Sequence, residues 1–299
     1  MSNETAEHAP PDYRRWLRGP LILIAALIVV RFVLEALMVS KDITRYFSAS
    51  VVGGMVIIYL GAVAPLRGIR KAKQLVLPAL VFEAWAGVWS ALALTIAGVF
   101  RLPGSHFADA PGPFQNWQHL AQHILFGHLA GSVLLGFPIT LGVMSLMFAL
   151  RRWPIIVAPS AVLGGLVILR FAAEAMDFAP TTAAAWSSTV GALLCALYVG
   201  GTARSSGFAS ARQLVAPSLV LGLMWRFWVF LAGLLSAAPL YHTHFFDRSQ
   251  GPLGIHLLRF FALQVIAGIA AGMIVWGIAS WAFYALRPGT SHQTAKVIS

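Results

Sequence analysis

Eight long apolar runs, separated by short polar segments, organise the chain. They occupy residues 19–39, 47–66, 74–100, 119–150, 154–176, 180–202, 213–236 and 255–286. Each holds at least the ~20 residues that a helix needs to cross roughly 30 Å of hydrocarbon. The pattern predicts an all-α, polytopic membrane protein with eight transmembrane helices. The fourth and eighth runs exceed what a bilayer requires, so each begins outside the hydrocarbon or tilts. The first run is too long for the apolar core of a cleavable signal peptide. Residues 1–18 and 288–299 are polar and read as disordered tails.

The pattern also repeats. A shift of 139 residues lays "RFVLEA" (31–36) on "RFAAEA" (170–175), "QLVLPALV" (74–81) on "QLVAPSLV" (213–220), and Pro20 on Pro159. From Arg31 to Trp89 the match needs no gap. The expected organisation is two tandem four-helix repeats, 19–152 and 153–287. An even number of spans per repeat inserts both halves the same way, so their pseudo-two-fold axis runs along the membrane normal. Many Gly, Ala and Ser residues are available for close helix contacts.

Composition agrees with the pattern. Of 299 residues, 59% are apolar and 10% charged, and the mean hydropathy is +0.78; a soluble domain carries about 25% charged residues. The formal charge of +11 does not point to nucleic acid, because the basic residues sit in short loops between apolar runs. There they act as a topology signal. Arg14, Arg15, Arg18, Arg67, Arg70, Lys71, Lys73, Arg151, Arg152, Arg204, Arg212, Arg287 and Lys296 share one side; Lys41, Arg45, Arg101 and Arg248 share the other. Thirteen against four predicts both termini in the cytoplasm of a cell (inner) membrane. The single cysteine, Cys195, lies inside an apolar run and rules out a disulfide framework or a CxxC motif.

Charges left inside the spans are the first candidate chemistry: Arg31, Glu35, Glu83, Arg170, Glu174, Arg226 and Arg259. A central arginine costs roughly 2.5–3.5 kcal/mol on insertion scales, so such residues face a partner, a wet cavity or the bundle interior. Arg31–Glu35 and Arg170–Glu174 are i,i+4 pairs that can close along one helix face. Two readings stand: structural clamps, or a polar cavity for an oxyanion such as a carboxylate, a haem propionate or a lipid phosphate, which the arginine fork suits. On the second reading Arg31, Glu35, Arg170, Glu174, Arg226 and Arg259 bind the cofactor. By residue count Arg226 falls in the outer half of its span. Glu83 and Arg226 have no counterparts, because Gly222 and Gly87 occupy their repeat positions.

The second candidate is an echo between two outer loops. "HFADAPGPFQNWQH" (106–119) and "HFFDRSQGPLGIH" (244–256) both read His, Phe, any residue, Asp, Gly-Pro, His. Gly-Pro makes a turn before a helix, and Asp bonds backbone groups there, so inherited interfacial turns explain the echo without chemistry. Imidazole and carboxylate are also first donors for zinc, copper and iron. The metal or haem candidates are His106, Asp109, His119, His123, His244, Asp247 and His256. His119 and His123 are i,i+4 on one helix face, and His128 falls about half a turn away. Histidines titrating near neutrality add a proton-linked reading. The heme A synthase family also arranges eight spans as 4+4 with paired histidines, but there they lie within the helices of both halves. The likeness therefore stops at architecture.

No Walker loop, Rossmann glycine pattern, HExxH or nucleophile elbow is present. Trp85, Trp89, Trp225 and Trp228 suit packing or interface anchoring more than a pocket lining. The expectation is an integral membrane protein with an outward His/Asp site for a metal ion or haem, as a subunit of a membrane (respiratory) complex. Its partners are the lipid bilayer and other complex subunits, not nucleic acid. The competing expectation is a small-solute or ion transporter using the intramembrane Arg and Glu residues.

Overall fold

A backbone amide without a partner costs several kcal/mol in hydrocarbon, so apolar chain of this length is driven into helix. In the computed structural model, which describes residues 11–100, 102, 121–237, 243–245 and 253–286, every regular element is helical. Eight helical stretches are long and apolar enough to cross a membrane: Tyr13–Ala36, Asp42–Arg67, Ala72–Val99, Ile124–Arg152, Pro154–Ala175, Pro180–Thr202, Ala211–Ser236 and Gly254–Ala285. The chain divides into two compact units, Met1–Arg152 and Trp153–Ser299.

The first unit contains α1 (Tyr13–Ala36), α2 (Ala49–Val63), α3 (Val76–Val99) and α4 (Phe137–Ala149). Helix α1 starts six residues before the apolar run, because Asp12 accepts a hydrogen bond from the Arg15 amide at 3.0 Å and caps it. Hydropathy marks where hydrocarbon begins; the cap marks where the helix begins. Helix α1 ends through Met38 at φ 59°. Ser48 caps α2 by accepting from the Val51 amide at 3.4 Å. Beyond Gly68, at φ 79°, the Gln74 side chain accepts from the Arg70 and Lys71 amides and sets up α3.

Helix α4 continues a wider coil. Residues His123–Ala130 and Ser132–Gly136 are π-helical, and regular α-helix resumes at Phe137 with Pro138 in its first turn. Proline brings no N–H to the ladder, so it sits where the hydrogen-bond register changes. The i→i+5 pattern puts His128 about one backbone turn after His123, where an α-helix would leave it offset.

The second unit contains α5 (Pro154–Ala175), α6 (Ser188–Thr202), α7 (Val215–Ser236) and α8 (Leu253–Ala285). Helix α5 ends through Asp177 at φ 53°, and Gly207 turns the chain at φ 87°. The Gln213 side chain accepts from the Ala209 amide at 2.8 Å ahead of α7. Helices α7 and α8 approach closely at Gly222, where an added Cβ would collide with the Gly272 backbone. In lipid such contacts gain by van der Waals packing, which small residues permit.

Tryptophan N–H groups stitch each unit internally. Trp85 donates to the Leu21 carbonyl at 2.9 Å, Trp228 to Ser160 at 3.1 Å and Trp276 to Ala211 at 3.0 Å. Trp85 and Trp89 also meet edge to face. Three of the four tryptophans weighed in the sequence are thus engaged in packing, while the Trp225 Nε1 is buried without an acceptor. Cys195 is buried, its Sγ 3.7 Å from the Pro159 carbonyl oxygen.

Candidate functional site

At the end of α5, two features that look separate in the sequence meet. Arg170 and Glu174 stand one turn apart, and the Arg170 Nε donates to Glu174 Oε1 at 3.1 Å. The second carboxylate oxygen takes both the backbone amide of His244 at 3.0 Å and a contact from its Nδ1 at 2.5 Å. One carboxylate therefore holds an arginine of its own helix and a histidine 70 residues away. Glu174 is largely shielded, at 16% side-chain exposure, whereas the His244 ring is 47% exposed.

The neighbours of His244 fix the loop that presents it. Phe245 is buried and lies beside Phe171 of α5, ring centres 6.3 Å apart. Thr243 Oγ1 pairs with Ser236 Oγ at the end of α7 at 2.5 Å and accepts from the Phe245 amide at 3.3 Å. The repeated dipeptides thus acquire a meaning: in "RFAAE" the Glu, itself paired with the Arg, holds the His of "HF", while the two phenylalanines pack together.

This geometry has a chemical consequence. A carboxylate at Nδ1 draws the imidazole proton to that nitrogen, and the neutral ring then offers its lone pair at Nε2. Histidines that bind metals are commonly backed this way by a carboxylate or carbonyl. The cluster can also act purely as a clamp between α5 and the loop after α7, and the two roles are compatible.

In the first unit Arg31 and Glu35 close the corresponding pair, Nε to Oε1 at 2.9 Å, with Glu35 buried. His106, Asp109, His119 and Asp247 lie outside the described residues, and the His123 side chain does so as well. His256 stands half-buried near the start of α8. Among the described residues no three His, Cys, Asp or Glu side chains converge as a metal ion would require.

The six proposed cofactor residues divide into two closed pairs, one in each unit, and two other arginines. Arg259 is exposed on α8. Arg226 stands 11 residues after the start of α7 and 10 before its end. The Arg226 Nε is buried without an acceptor, and the guanidinium lies 5.8 Å from the Trp225 ring centre.

Glu83 has a setting that the sequence did not reveal. Its carboxylate accepts a hydrogen bond from the hydroxyl of Thr140, which is buried in α4, and presses against Gly136 at the end of the π-helical segment. Sequence reasoning missed Thr140, Gly136, Thr243 and Ser236 because lone small residues carry no pattern. It had the signal for Glu174–His244: the Arg-Phe-x-x-Glu and His-Phe motifs repeat together, at nearly the same spacing.

Comparison with family models, curated proteins and solved structures finds no match to this chain.

Proposed function

We propose that this multi-pass membrane protein carries a haem-type or metal cofactor at an outward-facing histidine and serves as a subunit of a membrane complex. The observation that carries the reading is His244, whose Nδ1 is held by Glu174 at 2.5 Å while its ring remains half exposed. A haem needs only one or two axial side chains. A free ion would need further donors beyond this pair, so the described residues favour a haem-type group. Arg31–Glu35 supports an equivalent arrangement in the first unit. So do irregularities that recur 139 residues apart: Met38 and Asp177, Gly68 and Gly207, Gln74 and Gln213. They favour a tandem duplication with both halves inserted in the same sense.

The test is an absorption spectrum and elemental analysis of protein purified from its native membrane. A Soret band or near-stoichiometric iron, copper or zinc is expected, lost in His244→Ala with the protein still folded. A colourless, metal-free folded protein overturns the proposal and leaves the cluster as a clamp.

A transport reading has its own support in Glu83, lodged beside a π-helical segment; irregular helix of this kind recurs at functional sites. It predicts solute or ion flux in proteoliposomes that Glu83→Gln abolishes. No flux across a broad panel of ions and metabolites retires it.

A further inference from the structure

We propose that Arg226 is the seat for a partner protein: a transmembrane helix that carries an Asp or Glu at mid-bilayer depth. The inference is independent of the cofactor reading. Arg226 lies within one helical turn of the midpoint of the 26-residue span Ala211–Ser236. It is half-buried, and no ion pair joins it to any described residue. Its Nε has no acceptor, and neither does the Nε1 of the adjacent Trp225. The Trp225 face offers a cation–π attraction, which neither neutralises the guanidinium nor satisfies its five donors.

The composition of the unit sharpens the imbalance. From Trp153 to the C-terminus the acidic residues are Glu174, Asp177 and Asp247. Glu174 is engaged by Arg170 and His244. Asp177 lies beyond the end of α5, and Asp247 lies in the loop after α7. Helices α6, α7 and α8 hold no carboxylate at all.

The packing nevertheless makes room for the charge. A Cβ built on Gly268 of α8 would stand 3.5 Å from the Arg226 Cβ, so glycine there lets the arginine stem lie in the α7–α8 seam. On α8, one turn from Gly268 toward its start, Gln264 is 92% buried and its Oε1 also lacks a donor. A seam shaped around a central cation, with unused donors and an unused acceptor beside it, calls for a polar partner. In hydrocarbon the counter-charge is a buried carboxylate, since a lipid phosphate at the interface lies roughly 15 Å away from the midplane. Charge complementarity thus selects an acidic helix, and arginine holds it in a bidentate fork.

The experiment reconstitutes the full chain in phosphatidylcholine vesicles with a labelled Leu/Ala transmembrane peptide bearing one central Glu, or Gln in its place. Binding is read by energy transfer. The wild-type protein is expected to favour the Glu peptide by at least about tenfold, equivalent to about 1.4 kcal/mol. Arg226→Gln should erase the preference, Arg226→Lys should retain part of it, and Arg212→Gln should leave it intact. Equal binding of both peptides overturns the proposal. So does a preference that survives Arg226→Gln, or one that added laurate abolishes by competition, since that makes the seat a site for a small carboxylate.

Discussion

Among single residues, Glu174 has the most to do, because its two oxygens accept from Arg170 Nε, the His244 amide and the His244 ring. Glu174→Gln removes the charge while keeping the shape, and the amide nitrogen now faces one set of donors. Loss of hydrogen bonds to a charged group predicts a stability drop of about 1.5–3 kcal/mol. If His244 binds a cofactor, the same change lowers its affinity by roughly 10–100-fold, as for other backing carboxylates. Titration of the purified variant with haem separates the two effects from each other. In Glu35→Gln the clamp reading predicts lower thermal stability with unchanged activity per folded molecule. Activity lost at full stability would instead place Arg31–Glu35 in a working cavity. Phe245→Ala should free the His244 loop and cost about 3 kcal/mol, within the range for truncating a buried phenylalanine. Limited proteolysis between α7 and α8 would report it.

Helices in these units are placed by small residues and by polar side chains that the small residues admit. Gly222 faces Gly272, whereas in the first unit the repeat position holds Glu83, which presses on Gly136. Gly87 lies against His128 and Ser132, whereas Arg226 lies against Gly268. At each seam a large side chain on one helix meets glycine on the next, or two small residues let the backbones touch. Gly222→Val is therefore expected to force α7 from α8 and lower stability by about 1–3 kcal/mol through overpacking. Thermal unfolding in a mild detergent measures this; an unchanged midpoint would show that the seam is slack. The π-helical stretch before Phe137 belongs to the same scale. The apolar run 119–150 predicted a long helical span, and the structure adds a widened ladder that ends beside Pro138, where Gly136 meets Glu83.

Across the whole molecule, basic residues in the loops carry the prediction that topology needs. Eight spans and thirteen cations against four predict both termini in the cytoplasm. Fluorescent-protein and alkaline-phosphatase fusions at residues 299, 104 and 240 test it. The first should be fluorescent, and the other two should be enzymatically active on the outer side. Phosphatase activity at the C-terminus would reverse the orientation and turn the His244 cluster inward.

Span number and helical character were determined by sequence alone, since hydrocarbon thickness and the cost of bare amides act on local composition. The Arg–Glu pairs were legible for the same reason, i and i+4 being neighbours on any helix. Span ends were less legible, as caps such as Asp12 and turns such as Met38 answer to backbone geometry rather than hydropathy. Only tertiary structure decided that Glu174 holds His244 and that Arg226 faces no carboxylate among the described residues. Those outcomes depend on which helices touch and at what register, and shape complementarity between distant segments settles both.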